Sequence, residues 1–118
     1  MAGVESKHLD APDETRTPDK TEVNVVHLGD AQVGRLTFAP GWKWSECVRP
    51  VAGTETCQVE HLGYVVSGRL HIAHADGTGL DLGPGEAYLI APGHDAWVLG
   101  DEPFVGVEFS SADRFARG

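Results

Sequence analysis

No apolar run in this 118-residue chain approaches the roughly 18 residues that a membrane span needs. The N-terminus carries no apolar signal core either, so a helical membrane protein is excluded on that reading and the cytoplasm is the expected location. Basic residues are scarce: nine Lys and Arg stand against 18 Asp and Glu, for a formal net charge of -9. The nine are scattered, whereas a nucleic-acid or anionic-membrane surface needs them clustered. A small neutral or cationic ligand is easier to accommodate. Cysteine is limited to Cys47 and Cys57. Without an export signal both are expected as thiols. Also missing are a sustained helical period, an internal repeat, a G-x-S-x-G turn, a phosphate loop and a dinucleotide glycine pattern. No organic cofactor is therefore indicated.

What the chain does contain is a succession of short β-branched and aromatic runs. They are VNVVHL (23–28), VGRLTF (33–38), WKWSECV (42–48), CQVEHLGYVV (57–66), RLHIAHA (69–75), GLDLG (79–83), EAYLI (86–90), DAWVLG (95–100) and FVGVEF (104–109). Gly, Pro and Asp punctuate them, and 15 glycines supply the turns. This spacing predicts an all-β sandwich or barrel occupying 21–118 as one domain. One short helical turn is expected over 111–117. Residues 1–20 are polar, carry two prolines and show no hydrophobic period. They are expected to be a disordered tail, because little apolar burial is available to offset the entropy of ordering.

Two segments carry a family resemblance. GPGEAYLIAPGHDAWVLGDEP resembles the second motif of the cupins, and YVVSGRLHI matches the strand-turn-strand that follows their first motif. The resemblance covers about residues 38–110 and implies a cupin-type double-stranded β-helix, a jelly-roll barrel. It is closer to short cupins that occur alone or attached to signalling enzymes. The family's metal ligands are not kept as their usual types. Counting back from Gly68, His61 stands at the glutamate position; counting forward from Gly41, Cys47 and Arg49 stand at the two histidine positions. In the second motif the histidine position holds Ala96, with His94 two residues earlier.

Cys, His and His nevertheless suit a divalent metal (zinc, iron or copper) with one position left open. On a continuous strand, Cys57 and His61 lie about 13 Å apart and cannot share an ion unless the strand breaks between them. If RPVAGTET is a hairpin loop, Cys47 faces Val59, and His61 lies diagonally about 7–8 Å away. Cys47, His61 and His94 are therefore the candidate metal ligands, with Cys57 assigned to packing. His71 is expected to face outward and His74 to lie at a rim. Trp42, Trp44 and Trp97 suit a ligand pocket or, more commonly, core and interface. Asp95 would orient His94, although neighbouring strand residues point to opposite faces. Glu60 and Tyr64 fall on the face opposite His61, and no Asp or Glu is assigned to the barrel interior.

Three functions compete. The first is a ligand-binding or sensing module for a small molecule, with or without metal. The second is a small metal-dependent enzyme (oxygenase, isomerase or hydrolytic). The third is a structural dimer whose barrel is filled by side chains. A homodimer is expected in each case, because YVV and its neighbours are apolar on both faces.

Overall fold

The computed structural model describes residues 3–109 and 115–116. Nine strands account for about half of the described chain: β1 (Glu14–Arg16), β2 (Thr21–Leu28), β3 (Ala31–Phe38), β4 (His61–Ser67), β5 (Arg69–His74), β6 (Gly79–Leu82), β7 (Ala87–Ile90), β8 (His94–Leu99) and β9 (Phe104–Phe109). Two helical turns, α1 (Trp44–Cys47) and α2 (Arg49–Ala52), separate β3 from β4. The strands form a six-stranded sheet in the order β1-β2-β3-β9-β4-β7 and a three-stranded sheet in the order β6-β5-β8. Every pairing is antiparallel.

Period-two alternation places the core between the sheets. Val23, Val25, Leu36, Phe38, Val65 and Phe104 face inward from the larger sheet, and Leu70, Ile72, Leu82, Ala96 and Val98 from the smaller. Phe38 stacks flat on Trp42, with ring centroids 3.8 Å apart. The expected strands at 23–28, 33–38, 69–75, 79–83, 86–90, 95–100 and 104–109 are all present within a residue or two.

Two expectations need correction. The segment 42–48, expected as a strand, turns into helix at Trp44. Its apolar residues Trp44, Cys47, Val48, Val51 and Ala52 follow the i, i+3, i+4, i+7, i+8 spacing of one helical face. Pro50 sits in the first turn of α2, where its missing N–H costs nothing, and Gly53 closes that turn in the left-handed region at φ 75°. The 1–20 segment also departs from a disordered tail, because β1 extends the larger sheet by pairing with β2. The rest of the arm is tied down by polar contacts rather than by apolar burial. The Asp13 carboxylate accepts from the His27 N–H and from Lys7 Nζ, each at 2.8 Å, and Arg35 pairs with Asp10 at 2.8 Å. The helical turn expected over 111–117 lies largely outside the described residues. Among the described residues, no helix is long and apolar enough to cross a membrane.

Candidate metal centre

Segments 42–43 and 57 bracket the free edge of β8, with isolated bridges Lys43↔Trp97 and Cys57↔His94. The helical excursion between them interrupts what would otherwise be a continuous strand. Two backbone bonds seat Cys57: its N–H donates to His94 O at 2.8 Å, and its carbonyl accepts from Gly93 N–H at 2.7 Å. Regular pairing stops after Cys57 and resumes with β4 at His61. That interruption is the strand break which extended geometry would require for the two residues to meet.

Cys57, His61 and His94 are all buried, and one ligand atom from each lies within 4.8 Å of the others. Cys57 Sγ is 3.5 Å from His61 Nε2. The two imidazoles meet edge to face, with centroids 5.1 Å apart. His94 Nδ1 donates to Ala91 O at 2.8 Å, which leaves Nε2 for the cluster. The structure thus brings His61 and His94 together and places Cys47 elsewhere. Cys47 is in α1, with its thiol 3.8 Å from an Asp19 carboxylate oxygen. Helix formation, rather than a hairpin, moves it away from Val59 and His61. The thiol beside the two histidines is Cys57.

A fourth residue in this cluster was not anticipated. Glu108 is 2% exposed, and its two carboxylate oxygens accept from His61 Nδ1–H and from the Tyr88 hydroxyl, each at 2.6 Å. It sits opposite Gly34 on β3 and Gly63 on β4. A Cβ on Gly63 would come within 2.7 Å of the Tyr88 hydroxyl oxygen, so the absence of a side chain there admits the phenol to the carboxylate. The only sequence signal is parity, since Glu108 shares a strand face with Phe104 and Gly106.

Charge follows from these contacts. Burial by itself would lift the Cys57 thiol, but the hydrogen bonds and charge of His61 and His94 outweigh it and bring it down to about 6. Burial opposes protonation of His61, yet the Glu108 carboxylate and Cys57 raise it to about 10. Burial and the Glu108 carboxylate both push the Tyr88 phenol well above its usual range, which keeps it a neutral donor. These directions favour charge along the chain Cys57–His61–Glu108, in which the carboxylate meets His61 Nδ1 and the Cys57 sulfur meets Nε2.

The barrel cavity beside this chain has about 20 Å³ of room, enough for about one water. Trp44, His61, His94, Glu108 and Phe115 are among its walls. Trp44 Nε1 is buried and has no hydrogen-bond partner among the described residues. An unmet buried donor costs about 1–3 kcal/mol. Asp95, beside His94, does not orient that imidazole; its carboxylate accepts from the Ser45 and Ala96 N–H groups at 3.1 and 2.9 Å. A cleft of about 580 Å³ opens between the edges of β6 and β7 and shares Ile72, Tyr88 and Ile90 with the barrel cavity. His71 faces outward, pairing with Asp81 at 2.6 Å and packing on Trp97. His74 lies part-exposed near its turn, as expected for a rim residue. Glu60 and Tyr64 are exposed, away from His61.

The polyketide cyclase RemF from Streptomyces resistomycificus superposes with a TM-score of 0.64 at 17% identity, covering 90% of this chain and 78% of that one. A double-stranded β-helix domain protein from Klebsiella pneumoniae gives 0.55 at 20% identity, covering 92% and 89%. A cupin-like protein from Thermotoga maritima gives 0.53 at 17% identity, covering 80% and 70%. The fold is the cupin-type double-stranded β-helix. No family model matches the chain, and no curated protein matches it. Among cupin-type barrels, this one carries a buried Cys/His/His group suited to holding a metal.

Proposed function

We propose that this cupin-type protein is a metal-dependent small-ligand centre in which Cys57, His61 and His94 hold one divalent cation. The observation that carries this reading is the convergence of the three buried donors within 4.8 Å. Glu108 supports it, because a carboxylate on the far nitrogen of a ligating histidine fixes its orientation and raises its basicity. Thiolate with two imidazoles favours zinc; a non-haem iron triad would need a carboxylate ligand, and Glu108 is committed to His61 and Tyr88. Three protein donors leave a position open, as in catalytic rather than structural zinc sites. Bound there, the ion supplies Lewis acidity to whatever small ligand reaches that position. To ligate, His61 would have to be free of its Nε2 proton, which would pass to solvent, while Glu108 would keep the Nδ1 proton and the aromatic walls would exclude bulk water. The buried Glu108–Tyr88 pair favours a ligand-handling centre over a barrel filled only by structural side chains.

Cobalt substitution tests the assignment. Chelator-stripped protein titrated with cobalt(II) is expected to take up about one equivalent and show thiolate-to-cobalt absorption. Cys57→Ser should abolish that absorption, and His61→Ala with His94→Ala should abolish uptake. Cys47→Ser should leave both unchanged. Failure of the wild-type chain to retain cobalt or zinc overturns the proposal.

A homodimer is also proposed, through the outer face of β4, β7 and β9. Leu62, Tyr64, Val66, Leu89 and Phe109 are exposed there, between 45% and 68%. Leu62 pairs directly with Leu89, and Tyr64 with Val107, so the patch is continuous. Together these side chains expose on the order of several hundred Å², the scale at which an apolar patch on a soluble protein signals an interface. Sedimentation is expected to give a dimer mass for wild type and a monomer mass for Leu62→Glu, Leu89→Glu. A monomeric wild type at micromolar concentration would sink the dimer.

A further inference from the structure

Two buried tryptophans lie two residues apart, and their indole N–H groups are treated differently by the fold. Trp42 Nε1 donates to Thr21 Oγ1 at 2.8 Å. Trp44, 1% exposed, has no partner for its Nε1 among the described residues. Its position is nevertheless tightly specified. Val48 N–H donates to Trp44 O at 2.9 Å, Ser45 N–H donates to the Asp95 carboxylate at 3.1 Å, and Lys43 bridges Trp97 on β8. Asp95 adjoins His94, so the start of α1 is tied to the strand end that carries His94. Trp44 also walls two spaces. One is the barrel cavity shared with His61 and His94; the other is a cavity of about 130 Å³ at the α1–α2 end, lined in part by Cys57 and Phe115. A buried donor held this firmly, and unmet among the described residues, points to an acceptor beyond them.

We propose that Trp44 is a positioning residue whose indole N–H binds a small hydrogen-bond acceptor, a water or a compact monoanion, held beside Cys57, His61 and His94. The cavity limits the acceptor to one or a few atoms at that point. The surrounding walls provide few competing donors: His61 Nδ1 is committed to Glu108 and His94 Nδ1 to Ala91 O. The indole would thereby orient the acceptor's lone pair, and the metal's open position would receive it. In that respect the inference rests on the metal reading.

Azide binding to cobalt-loaded protein, followed by visible absorption, tests the proposal. Wild type should bind azide saturably. Trp44→Phe should bind it at least about tenfold more weakly while holding cobalt as wild type does, because one hydrogen bond to the ligand is lost and the metal donors are not. Trp97→Phe, outside the barrel, should match wild type. Equal azide affinity in Trp44→Phe and wild type overturns the proposal, as does a cobalt-loaded wild type that binds no azide. Failure of cobalt uptake is seen before azide is added and counts against the metal reading alone. Heteronuclear NMR of metal-free protein then decides the Trp44 assignment. A cross-peak between the Trp44 indole proton and a bound water supports it, and its absence under conditions where Trp42 is resolved overturns it.

Discussion

In metal-free protein, Glu108→Ala is expected to lower the free energy of unfolding by about 3–5 kcal/mol, the cost of leaving one member of a buried ion pair without its partner. The carboxylate is shared by a buried imidazolium and a buried phenol, so its removal strands two donors at once. A domain of this size holds only about 5–15 kcal/mol in reserve, so the variant should stand close to unfolding at room temperature. Glu108→Gln keeps an acceptor for one donor while removing the charge, and should cost less. The pH dependence gives the diagnostic. His61 ionises at 6.5 unfolded and at about 10 in the fold. Its contribution is therefore complete below 6.5 and disappears as pH rises through about 10. The stability gap between wild type and Glu108→Gln should be widest in the neutral and mildly acidic range and should narrow above about 10. Urea midpoints for the two chains across that range measure it. A gap that stays constant with pH would mean that Glu108 acts by packing and not through the charge on His61.

Gly68→Ala is expected to be comparably damaging for a different reason. Gly68 turns the chain from β4 to β5 at φ 78°, in the left-handed region. A Cβ there would lie 2.2 Å from Pro103 O and 2.7 Å from Phe104 Cα, both backbone atoms at the start of β9. Neither can swing aside as a side chain would, so the turn must lift off the sheet. Left-handed strain of about 1–2 kcal/mol and overpacking of about 1–3 kcal/mol combine to roughly 3 kcal/mol or more. Gly53 provides the control. Its φ is 75°, yet nothing lies within 4 Å of its would-be Cβ, so Gly53→Ala should lose only the strain portion. Thermal unfolding of both variants separates conformation from crowding. Equal losses would show that the close approach at Pro103 carries no weight.

The strands were legible because most of them obey a local rule. In HLGYVV alternate residues are buried and exposed, and in RLHIAH Leu70 and Ile72 are buried between less buried neighbours, so the inward set includes His61 from the first and Leu70 and Ile72 from the second. His94 was legible as the imidazole beside the Gly93 turn. Cys57 was not, because a regular strand would have put it about 13 Å from His61; the irregular stretch at 58–60 removes that separation. The helical spacing of Trp44, Cys47, Val48, Val51 and Ala52 was available in the sequence. The β-prone tryptophans before it and Pro50 within it obscured that spacing. Glu108 had parity in its favour, but Val105, Val107 and Phe109 form the more apolar face of its strand, and that face turns outward.

By itself, then, the sequence determined an all-β chain of short inward-alternating strands, the turns between most of them, and two histidines in the interior. Those properties depend on neighbours within a few residues. Which thiol meets the histidines, and which carboxylate supports them, depends on contacts between residues 57 and 94 and between 61 and 108. Only the stacking of two sheets and the interruption beside β8 bring those pairs within reach, because side-chain chemistry at such separations is set by register across strands and not by order along the chain.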